Sequence, residues 1–378
     1  MEKFEYEKIR GLHLELTTKC NAMCPMCNRN FKGKLRENLN LRELSLEEIK
    51  YILPSSFLKQ LKLISLCGVY GEPICNTNLK QILKYFYKSN PNIKIDIYTN
   101  GGLFEPEWWS DLATIMKDHN GTVIFGIDGV DETHELHRRN VDINKVMKNA
   151  EAYINSGGIA QWDYIVFKHN ENQVKEAEKL SKKMGFKTFQ IKKTSRFLKT
   201  FYEKDNKLDS TILEFGKHPV YDCNGKHIYN LELPMNDKYR NNKDKLFEEK
   251  IKEYGSIEKY FDDVEIICDA IKNGGIFISA FGELFPCCSV YQQVCYKTVH
   301  GVIDEDELNE YNLYKNDSLS LFEHSIKEIV EGAFFSNLVS SFKCKSIKGG
   351  KPKCCCRTCG KEIDYQSSCH TKKISYKE

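Results

Sequence analysis

The sequence lacks the features of membrane-spanning and exported proteins. None of its apolar runs approaches the roughly 18–20 residues that a helix needs to cross a bilayer. Its first ten residues, MEKFEYEKIR, have neither the apolar core of a signal peptide nor the acid-poor composition of a transit peptide. We therefore expect a cytoplasmic protein with no membrane partner.

The sequence also lacks a dominant charge of one sign. Its 56 Lys and Arg residues nearly balance 53 Asp and Glu residues, so the formal net charge is only +3. Strong non-specific binding of nucleic acid requires a dominant positive field. Residues 343–378 are locally basic, but a solvated tail explains them better than phosphate binding. The composition therefore argues against a nucleic-acid partner and leaves RNA modification as a minor alternative.

Cysteine, in contrast, is abundant, with 16 residues in a chain of 378. Small exported domains use cysteines as disulfide scaffolds, but this chain is long, carries no export signal and has bunched cysteines. In a reducing compartment, bunched thiols are more often metal ligands than disulfides. The cysteine spacings are therefore expected to mark metal sites.

Short apolar, β-branched runs alternate with segments of helical periodicity between residues 11 and 192. The predicted strands are residues 12–16, 61–66, 93–98, 122–127, 164–167 and 189–191. The predicted helices are residues 44–53, 79–87, 107–116, 143–154 and 173–184. This alternation indicates a parallel sheet with helices packed outside it, as an incomplete barrel or an open doubly wound sheet. Both folds bind ligands at the carboxyl ends of the strands.

The loop after the first predicted strand contains Cys20, Cys24 and Cys27 in a C-x3-C-x2-C spacing. Three thiolates this close can hold one face of an iron–sulfur cube and leave the fourth iron without a protein ligand. An electron-transfer cluster normally has four cysteines, so the open iron indicates a site for a small chelating molecule. Structural zinc is the alternative, but zinc knuckles usually combine a C-x2-C pair with two more ligands, and this loop offers no second pair to match Cys24 and Cys27.

These cysteines, placed after the first strand of a six-fold β/α repeat, resemble the signature of the radical S-adenosylmethionine (SAM) superfamily. The resemblance covers roughly residues 11–195 and implies a partial (β/α)6 barrel with a [4Fe-4S] cluster and SAM. Before the third cysteine, where the family usually has an aromatic residue, this chain has Met26. In the family, reductive cleavage of SAM yields a 5′-deoxyadenosyl radical that takes a hydrogen atom from an unactivated carbon.

The resemblance extends to four residues that follow the second and third predicted strands. Gly71 and Glu72 resemble the Gly-Gly-Glu segment that holds the SAM amino group, although only one glycine directly precedes the glutamate here. Thr99 and Asn100 match the polar pair that ends the third strand, near the ribose. All four are therefore expected to bind the cofactor.

Two further residues follow the fourth predicted strand. Asp128 resembles the ribose-side position of that strand, and Arg138 matches the arginine that pairs with the SAM carboxylate, with Arg139 as its nearest rival. The chemistry agrees, because a guanidinium offers two parallel donors to a carboxylate. No residue is assigned a catalytic role beyond cofactor binding.

The sequence divides into three segments. Residues 1–195 form the predicted radical SAM core. Residues 196–262 are rich in Lys, Asn and Asp, and they predict a largely helical connector or lid. Residues 263–378, in which cysteines return, form a small third domain. The barrel pattern starts by residue 12, so we expect no separate N-terminal peptide-recognition domain.

The third segment resembles the auxiliary-cluster domain found after many radical SAM cores, which is called SPASM in full and twitch when shortened. Cys268 and Cys287 flank a predicted hairpin whose turn contains Gly282, and Cys356 and Cys359 follow as C-x2-C. The resemblance implies the short form, with one auxiliary [4Fe-4S] cluster held by these four cysteines.

Several neighbouring thiols complicate that assignment. They are Cys288, Cys354, Cys355 and Cys369, while Cys344 or Cys369 could serve a second auxiliary cluster. A structural zinc site with the same four ligands is also open. Of the remaining thiols, Cys67, Cys75 or Cys223 could donate a hydrogen atom to a substrate radical, although a buried free cysteine is the commoner case.

The residues and the resemblance together predict a radical SAM enzyme that abstracts hydrogen from carbon of a polar substrate. The two substrate classes are a small carbohydrate- or aminocyclitol-like metabolite and a precursor peptide, for which epimerisation or crosslinking are the expected outcomes. The expected electron donor is a flavodoxin or ferredoxin. A non-catalytic iron–sulfur or zinc-binding protein is the alternative from another class.

Overall fold

The computed structural model describes residues 3–194, 196–197, 216–300, 318–363 and 370–376. The described strands are β1 (Gly11–Leu14), β2 (Asn30–Phe31), β3 (Lys34–Leu35), β4 (Leu63–Leu66), β5 (Lys94–Thr99), β6 (Gly121–Gly126), β7 (Ala160–Ile165), β8 (Thr188–Lys192), β9 (Lys217–Tyr221), β10 (His227–Glu232), β11 (Gly275–Ile278), β12 (Leu284–Phe285) and β13 (His370–Ser375).

The described helices are α1 (Leu46–Ile52), α2 (Ser55–Leu58), α3 (Leu79–Ser89), α4 (Pro106–Met116), α5 (His134–His137), α6 (Ile143–Asn155), α7 (Val174–Lys183), α8 (Asn242–Tyr254), α9 (Ile257–Asp263), α10 (Asp269–Asn273), α11 (Cys288–His300), α12 (Ile326–Val330), α13 (Ala333–Ser341) and α14 (Lys353–Cys359). No helix among the described residues combines the length and the apolar character that crossing a membrane requires.

A nine-stranded sheet with the order β12-β11-β1-β4-β5-β6-β7-β8-β13 forms the centre of the fold. From β11 through β1 to β8 all neighbouring strands are parallel, and one outer strand at each end is antiparallel. Alternate residues such as Leu12 and Leu14 are buried in the main apolar core. The predicted six-fold β/α repeat is therefore confirmed, and all five predicted helices are present.

The fifth predicted strand is displaced in the structure. The apolar run at residues 164–167 suggested the strand, but β7 begins at Ala160 and ends at Ile165. The polar residues Gln161 and Asp163 interrupt its apolar pattern. Their side chains lie on the same face of the strand, where the Gln161 amide donates to the Asp163 carboxylate at 2.7 Å. Because one face of β7 is polar, the strand does not appear as a continuous apolar run in the sequence.

The connector differs from its prediction in one respect. Residues 217–232 form the antiparallel hairpin of β9 and β10, not a helix, and within the described part of the connector α8 and α9 fulfil the helical prediction. Val220 and Leu231 of the hairpin are buried with Met26 and Phe167 in a small apolar cluster. The hairpin therefore packs beside the loop that contains Cys24 and Cys27.

The third segment continues the barrel sheet. β11 and β12 form the predicted hairpin, and its turn contains Gly282 with φ of 75°. β11 lies parallel to β1, and Gly11 pairs with Gly275 and Leu14 with Ile278. At the opposite end, β13 lies antiparallel to β8. The residues predicted as a separate domain thus border both sides of the barrel.

Candidate functional site

The loops that follow β1, β4 and β5 meet at the carboxyl edge of the sheet. The backbone N–H of Asn100 donates to Oε2 of Glu72 at 2.8 Å. The Asn100 amide donates to Oδ1 of Asn21 at 2.9 Å and lies 3.9 Å from the Cys20 sulfur. The structure therefore brings the three-cysteine loop, Glu72 and Asn100 into one site, as the sequence predicted.

Buried polar side chains shape the three-cysteine loop. Arg29 donates to the Cys20 carbonyl at 3.0 Å, and the Asn30 amide donates to the Cys24 carbonyl at 3.0 Å. The Cys27 N–H donates to the same Cys24 carbonyl at 3.1 Å. Sequence reasoning missed Arg29 and Asn30, because nothing except their position after the third cysteine distinguishes them from surface residues.

Close backbone contact explains the glycine before Glu72. A Cβ atom at Gly71 would lie 1.7 Å from the Thr17 carbonyl oxygen, so no larger residue fits. The Gly71 N–H donates to the carboxylate of Glu15 at 3.2 Å, and the Tyr70 N–H donates to it at 2.6 Å. The loop before Glu72 is thereby attached to the end of β1.

Glu72 is buried and accepts hydrogen bonds from the N–H groups of Asn100 and Ile74. Burial raises the pKa of Glu72 to about 6, and hydrogen bonds from Asn100, Thr99 and Ile74 oppose that shift. A carboxylate has about four lone-pair positions, so one further donor can bind. This geometry fits the predicted role of Glu72 as an acceptor for the SAM amino group, and Thr99 supports it.

Asp128 forms a buried ionic group with Arg138. Arg138 Nε donates to Oδ2 of Asp128 at 2.6 Å, His137 Nδ1 lies 2.8 Å from the same oxygen, and the Ile165 N–H donates to Oδ1 at 2.7 Å. Although burial opposes ionisation, Arg138 and these hydrogen bonds hold the pKa of Asp128 well below its usual range. The carboxylate therefore stays charged and orients the guanidinium.

Asp128 is enclosed within the protein, and its predicted ribose-side contact stays a prediction. Asp128 has no exposed surface and both its oxygens are bonded within the protein. Arg138 also reaches the Cys24 thiol. Burial raises the pKa of Cys24 to about 11, and Arg138 opposes the shift. Arg139 instead donates to the Tyr229 hydroxyl, so Arg138 is the better partner for a cofactor carboxylate.

Two histidines that sequence reasoning missed complete this group. The Asp128 N–H donates to Nδ1 of His134 at 3.1 Å, and His137 contacts the Asp128 carboxylate. Burial lowers the pKa of His134 to about 4, so it is neutral at pH 7 and can accept that bond. Their spacing on α5 places both on one face of the helix, which was the available signal.

Charged side chains also lie inside the barrel. Lys192 at the end of β8 is 2.6 Å from Asp163 of β7, and its ammonium lies 5.6 Å from the centre of the Tyr98 ring on β5. Because two strands separate β5 from β8, this contact crosses the concave face of the sheet. Sequence reasoning missed these residues. Tyr98 ends the predicted strand 93–98, Asp163 precedes the predicted strand 164–167, and Lys192 follows the predicted strand 189–191 as one of two adjacent lysines with no other distinguishing signal.

The auxiliary region gathers cysteines from three separate segments. Cys268 precedes α10, Cys287 follows β12, and Cys359 ends α14. The Ile267 N–H donates to the Cys359 carbonyl at 2.8 Å, which places Cys268 beside Cys359. Burial raises the pKa of Cys287 well above its usual range, and the thiols of Cys288, Cys354 and Cys268 add to that shift.

Cys356 of the same helix packs against α9. Its sulfur donates to the Phe261 carbonyl at 3.6 Å, and its side chain is fully buried in an apolar cluster with Phe247 and Tyr260. On a helix, Cys356 points about 100° away from its neighbour Cys355. The predicted ligand set of Cys268, Cys287, Cys356 and Cys359 stays a prediction. Cys369, which the sequence left open, lies outside the described residues.

The cysteine thiols of the loop after β1 and of the auxiliary region are the ligand type that iron–sulfur clusters require. Within the described ranges, no three His, Cys, Asp or Glu side chains converge tightly enough to hold a single metal ion. A cube needs a wider arrangement than one ion, because each thiolate binds a different iron. Three thiols on one loop, with Arg138 beside Cys24, suit a cluster whose fourth iron takes SAM.

The remaining thiols have different surroundings. Cys67 follows β4, and burial raises its pKa to about 12, with the neighbouring thiol of Cys288 adding to the shift. Burial also raises the pKa of Cys75 to about 12, and Glu72 adds to that shift. Cys223 is exposed in the turn between β9 and β10. Of the three, Cys67 is the one that connects the site to the auxiliary region.

Residues 14–187 match the model of the radical SAM superfamily. The matched segment begins in β1 and ends just before β8. It contains the three-cysteine loop, Glu72, Asn100 and Arg138, which the structure brings to one edge of the sheet.

Two curated proteins are similar to part of this chain. The radical SAM cyclopropyl synthase TigE of Paramaledivibacter caminithermalis is 27% identical over 158 residues, or 38% of this chain and 33% of that protein. A probable GTP 3′,8-cyclase of Methanococcus maripaludis is 36% identical over 106 residues, or 28% of this chain and 33% of that protein. The matches thus span about a third of the length of each relative.

A solved structure extends the likeness to most of the chain. SuiB of Streptococcus suis, bound to the precursor peptide SuiA, aligns with 92% of this chain and 76% of its own, with a TM-score of 0.55 and 14% identity. Identity at this level shows a shared fold alone. The shared fold includes residues beyond those that match the superfamily model.

Proposed function

We propose that this chain, which belongs to the radical SAM superfamily through residues 14–187, removes a hydrogen atom from carbon of a polar substrate at the mouth of its barrel. When bound, the [4Fe-4S] cluster supplies the electron that cleaves SAM, and the resulting 5′-deoxyadenosyl radical is the hydrogen acceptor. The observation that carries the proposal is the meeting of the cysteine loop, Glu72, Asn100 and Arg138 at one sheet edge.

The cofactor-binding roles follow from the side chains present. Cys20, Cys24 and Cys27 would hold the cluster, and Glu72 would accept hydrogen bonds from the SAM amino group. Arg138 would bind the SAM carboxylate, oriented by Asp128. Gly71, Thr99 and Asn100 would also contact the cofactor.

The polar interior of the barrel supports a polar substrate. Lys192 is 26% exposed on its side chain, whereas its partner Asp163 is only 7% exposed. An ion pair with one accessible member can donate to a carbonyl, carboxylate or hydroxyl group of an entering molecule. Tyr98 lies beside the ammonium and adds an aromatic surface. We therefore place the substrate against Lys192.

For the substrate class we propose a peptide. The support is the likeness to SuiB in its complex with a precursor peptide, which covers 92% of this chain. The auxiliary region is close enough to contribute, because Cys67 at the end of β4 interacts with Cys288, the residue after Cys287. A four-cysteine cluster there would accept or relay an electron from the substrate radical, which favours oxidation or bond formation. A flavodoxin or ferredoxin would supply the reducing electron.

Two measurements test the proposal. The first is 5′-deoxyadenosine formation by the anaerobically reconstituted and reduced protein, which should occur slowly without substrate; no product under any condition would refute the radical SAM activity. The second adds a peptide fraction of the source cells, before and after protease digestion. A peptide substrate predicts a faster rate that digestion removes. A rate increase that survives digestion would assign a small metabolite, such as a carbohydrate, instead.

A further inference from the structure

We infer that the buried guanidinium of Arg29 is a charge partner of the SAM-binding cluster, and that it makes the cube easier to reduce. The inference deepens the proposed function and rests on it, because it takes Cys20, Cys24 and Cys27 as the cluster ligands. It gives Arg29 an electrostatic role in addition to its bond to the loop backbone.

Arg29 is a buried cation without a carboxylate partner. The residue is only 4% exposed, and a guanidinium keeps its charge inside a protein. Arginines are almost never buried this deeply unless they are paired. Across the described ranges, no Asp or Glu carboxylate forms an ion pair with Arg29, and Glu43 of the following loop pairs with Lys19 instead. The countercharge of Arg29 must therefore come from another group.

The contacts of the guanidinium show where that group lies. Nη1 of Arg29 donates to the Cys20 carbonyl at 3.0 Å, whereas its buried Nε has no hydrogen-bond partner among the described residues. A carbonyl satisfies one donor but carries no charge, so the cation is still uncompensated. The structure thus holds a positive charge against the backbone of the first cysteine of the loop.

The other arginine of the site has a different environment. Nε of Arg138 donates to the buried carboxylate of Asp128 at 2.6 Å, so that its charge is balanced within the protein. Arg29 has no equivalent carboxylate in the described part of the chain. The thiolates of the loop would supply the missing negative charge, and the electron that reduces the cube would add to it.

The Cys20 sulfur is also surrounded by hydrogen-bond donors. The Ala22 N–H donates to it at 3.4 Å, and the Asn100 amide lies 3.9 Å away. Net charge and hydrogen bonds to the ligating sulfurs are two of the factors that set the potential of an iron–sulfur cluster. A cation beside these donors stabilises the more negative, reduced state.

The hairpin of β2 and β3 holds Arg29 in this position. The Arg36 N–H donates to the Arg29 carbonyl at 2.9 Å, and the Asn30 N–H donates to the Cys27 carbonyl at 3.0 Å. Asn30 also pairs with Leu35 in the hairpin. The backbone of Arg29 is therefore fixed between the third cysteine and β3, which keeps its side chain directed toward Cys20.

The first test measures the reduction potential of the SAM-binding cube. Wild type, Arg29→Gln and Arg29→Lys are reconstituted anaerobically, and the potential is read from the electron paramagnetic resonance signal that SAM addition changes. Gln offers an amide donor to the Cys20 carbonyl but no charge. We expect its cube to be about tenfold harder to reduce, which is about 59 mV for one electron. Arg29→Lys keeps the charge and should stay near the wild-type potential.

Arg36→Gln is the matched control. Nε of Arg36 donates to the Asn28 carbonyl of the same loop at 2.8 Å, but the residue is only half-buried. Because solvent screens exposed charges more than buried ones, we expect a smaller shift than in Arg29→Gln. An unchanged potential in Arg29→Gln would overturn the inference, and so would equal shifts in Arg29→Gln and Arg36→Gln.

The second test needs no SAM. The thermal midpoints of wild type and Arg29→Gln are measured before and after reconstitution of the full-length chain. Loss of an unpaired buried charge should raise the midpoint of the variant before reconstitution, and loss of the charge partner should lower it afterwards. A lower midpoint in both states would show that Arg29 only supports the backbone and would overturn the inference.

The two tests also separate this inference from the proposed function. A reconstituted wild-type protein whose spectrum does not respond to SAM would refute the proposed function. The thermal midpoints with and without the cube would still decide whether Arg29 is its charge partner.

Discussion

The two cysteine-rich regions are built in opposite ways. In the first, three cysteines lie in an eight-residue stretch, 20–27, of the loop after β1. Local hydrogen bonds from Arg29 and Asn30 hold the conformation of that loop. In the second, the thiols come from segments before α10, after β12 and on α14, which tertiary contacts bring together. A local site can be identified from spacing, whereas a dispersed site depends on which face of a helix is turned inward.

The largest effect should come from the local site. Cys24→Ala removes one of three thiolates, and a two-thiol loop cannot hold the cube. We expect no 5′-deoxyadenosine above background and a loss of about half the iron, since one of two cubes disappears. Cys223→Ala, at an exposed thiol in the hairpin turn, is the matched control and should behave as wild type. Normal SAM cleavage by Cys24→Ala would contradict the role of the loop.

The next effect concerns the group that orients Arg138. Asp128→Asn removes the charge that holds the guanidinium, and loss of such a supporting partner typically costs about 10–100-fold in affinity or activity. We expect a fall of that size in SAM affinity, measured by equilibrium dialysis with the reconstituted enzyme. Arg139→Lys should keep wild-type affinity, because Arg139 bonds to Tyr229 and not to Asp128.

Breaking a buried charge pair also lowers stability, by about 3–5 kcal/mol. The thermal midpoint of Asp128→Asn is therefore measured alongside the dialysis. A variant that remains folded and binds SAM as tightly as wild type would exclude the positioning role of Asp128.

A smaller effect is expected at the glycine before Glu72. In Gly71→Ala the added Cβ would lie 1.7 Å from the Thr17 carbonyl, so the loop must move and carry Glu72 with it. We expect SAM affinity to fall about tenfold, or about 1.4 kcal/mol. Gly275→Ala in the auxiliary region is the control, since its new Cβ would find its nearest atoms at 3.9 Å. If Gly71→Ala and Gly275→Ala lowered SAM affinity equally, the close backbone contact at Gly71 would not be what positions Glu72.

The smallest effect concerns Glu15, which touches both regions. Its N–H donates to the Ile278 carbonyl, while its carboxylate accepts from Tyr70 and Gly71. Burial raises the pKa of Glu15 from 4.5 to about 7, and the backbone donors oppose the shift. The folded protein therefore favours the protonated form, so stability is full below pH 4.5 and falls as the pH rises through about 7.

Glu15→Gln should reduce that pH dependence. Its amide oxygen can keep both backbone hydrogen bonds, and it does not titrate. We expect the thermal midpoint of the variant to decline less than that of wild type between pH 4.5 and 7. Parallel curves for the two proteins would show that Glu15 carries no charge change in this range.

The sequence was sufficient for the parts of the molecule whose signals are local. The β/α repeat, the cysteine loop and the hairpin at Gly282 were all predicted, because each depends on periodicity or spacing within a short segment. β7 was displaced because Gln161 and Asp163 face the barrel interior. The β9–β10 hairpin was missed because only three residues of the two strands, Val220, Tyr229 and Leu231, pack in the small apolar cluster.

The candidate site shows the same division. Glu72 and Asn100 could be predicted, since each follows its strand directly. Asp128 was expected on the ribose side of the cofactor, and its burial and its bond to Arg138 could not be predicted, because a sequence does not show which of two neighbouring polar groups is exposed. The choice of Cys356 as a ligand stays a prediction, because Cys354, Cys355 and Cys356 are consecutive on α14 and only packing decides between them.

The pairing of β11 with β1 has a consequence for how the chain folds during its synthesis. β1 leaves the ribosome early, but its neighbour on one side, beginning at Gly275, is made only after the barrel residues are complete. Until then, β1 presents an open parallel edge to other chains. Such distant pairing slows folding and prolongs the exposure of that edge. Fragments that stop before residue 275 should therefore aggregate, even though they contain every predicted SAM ligand.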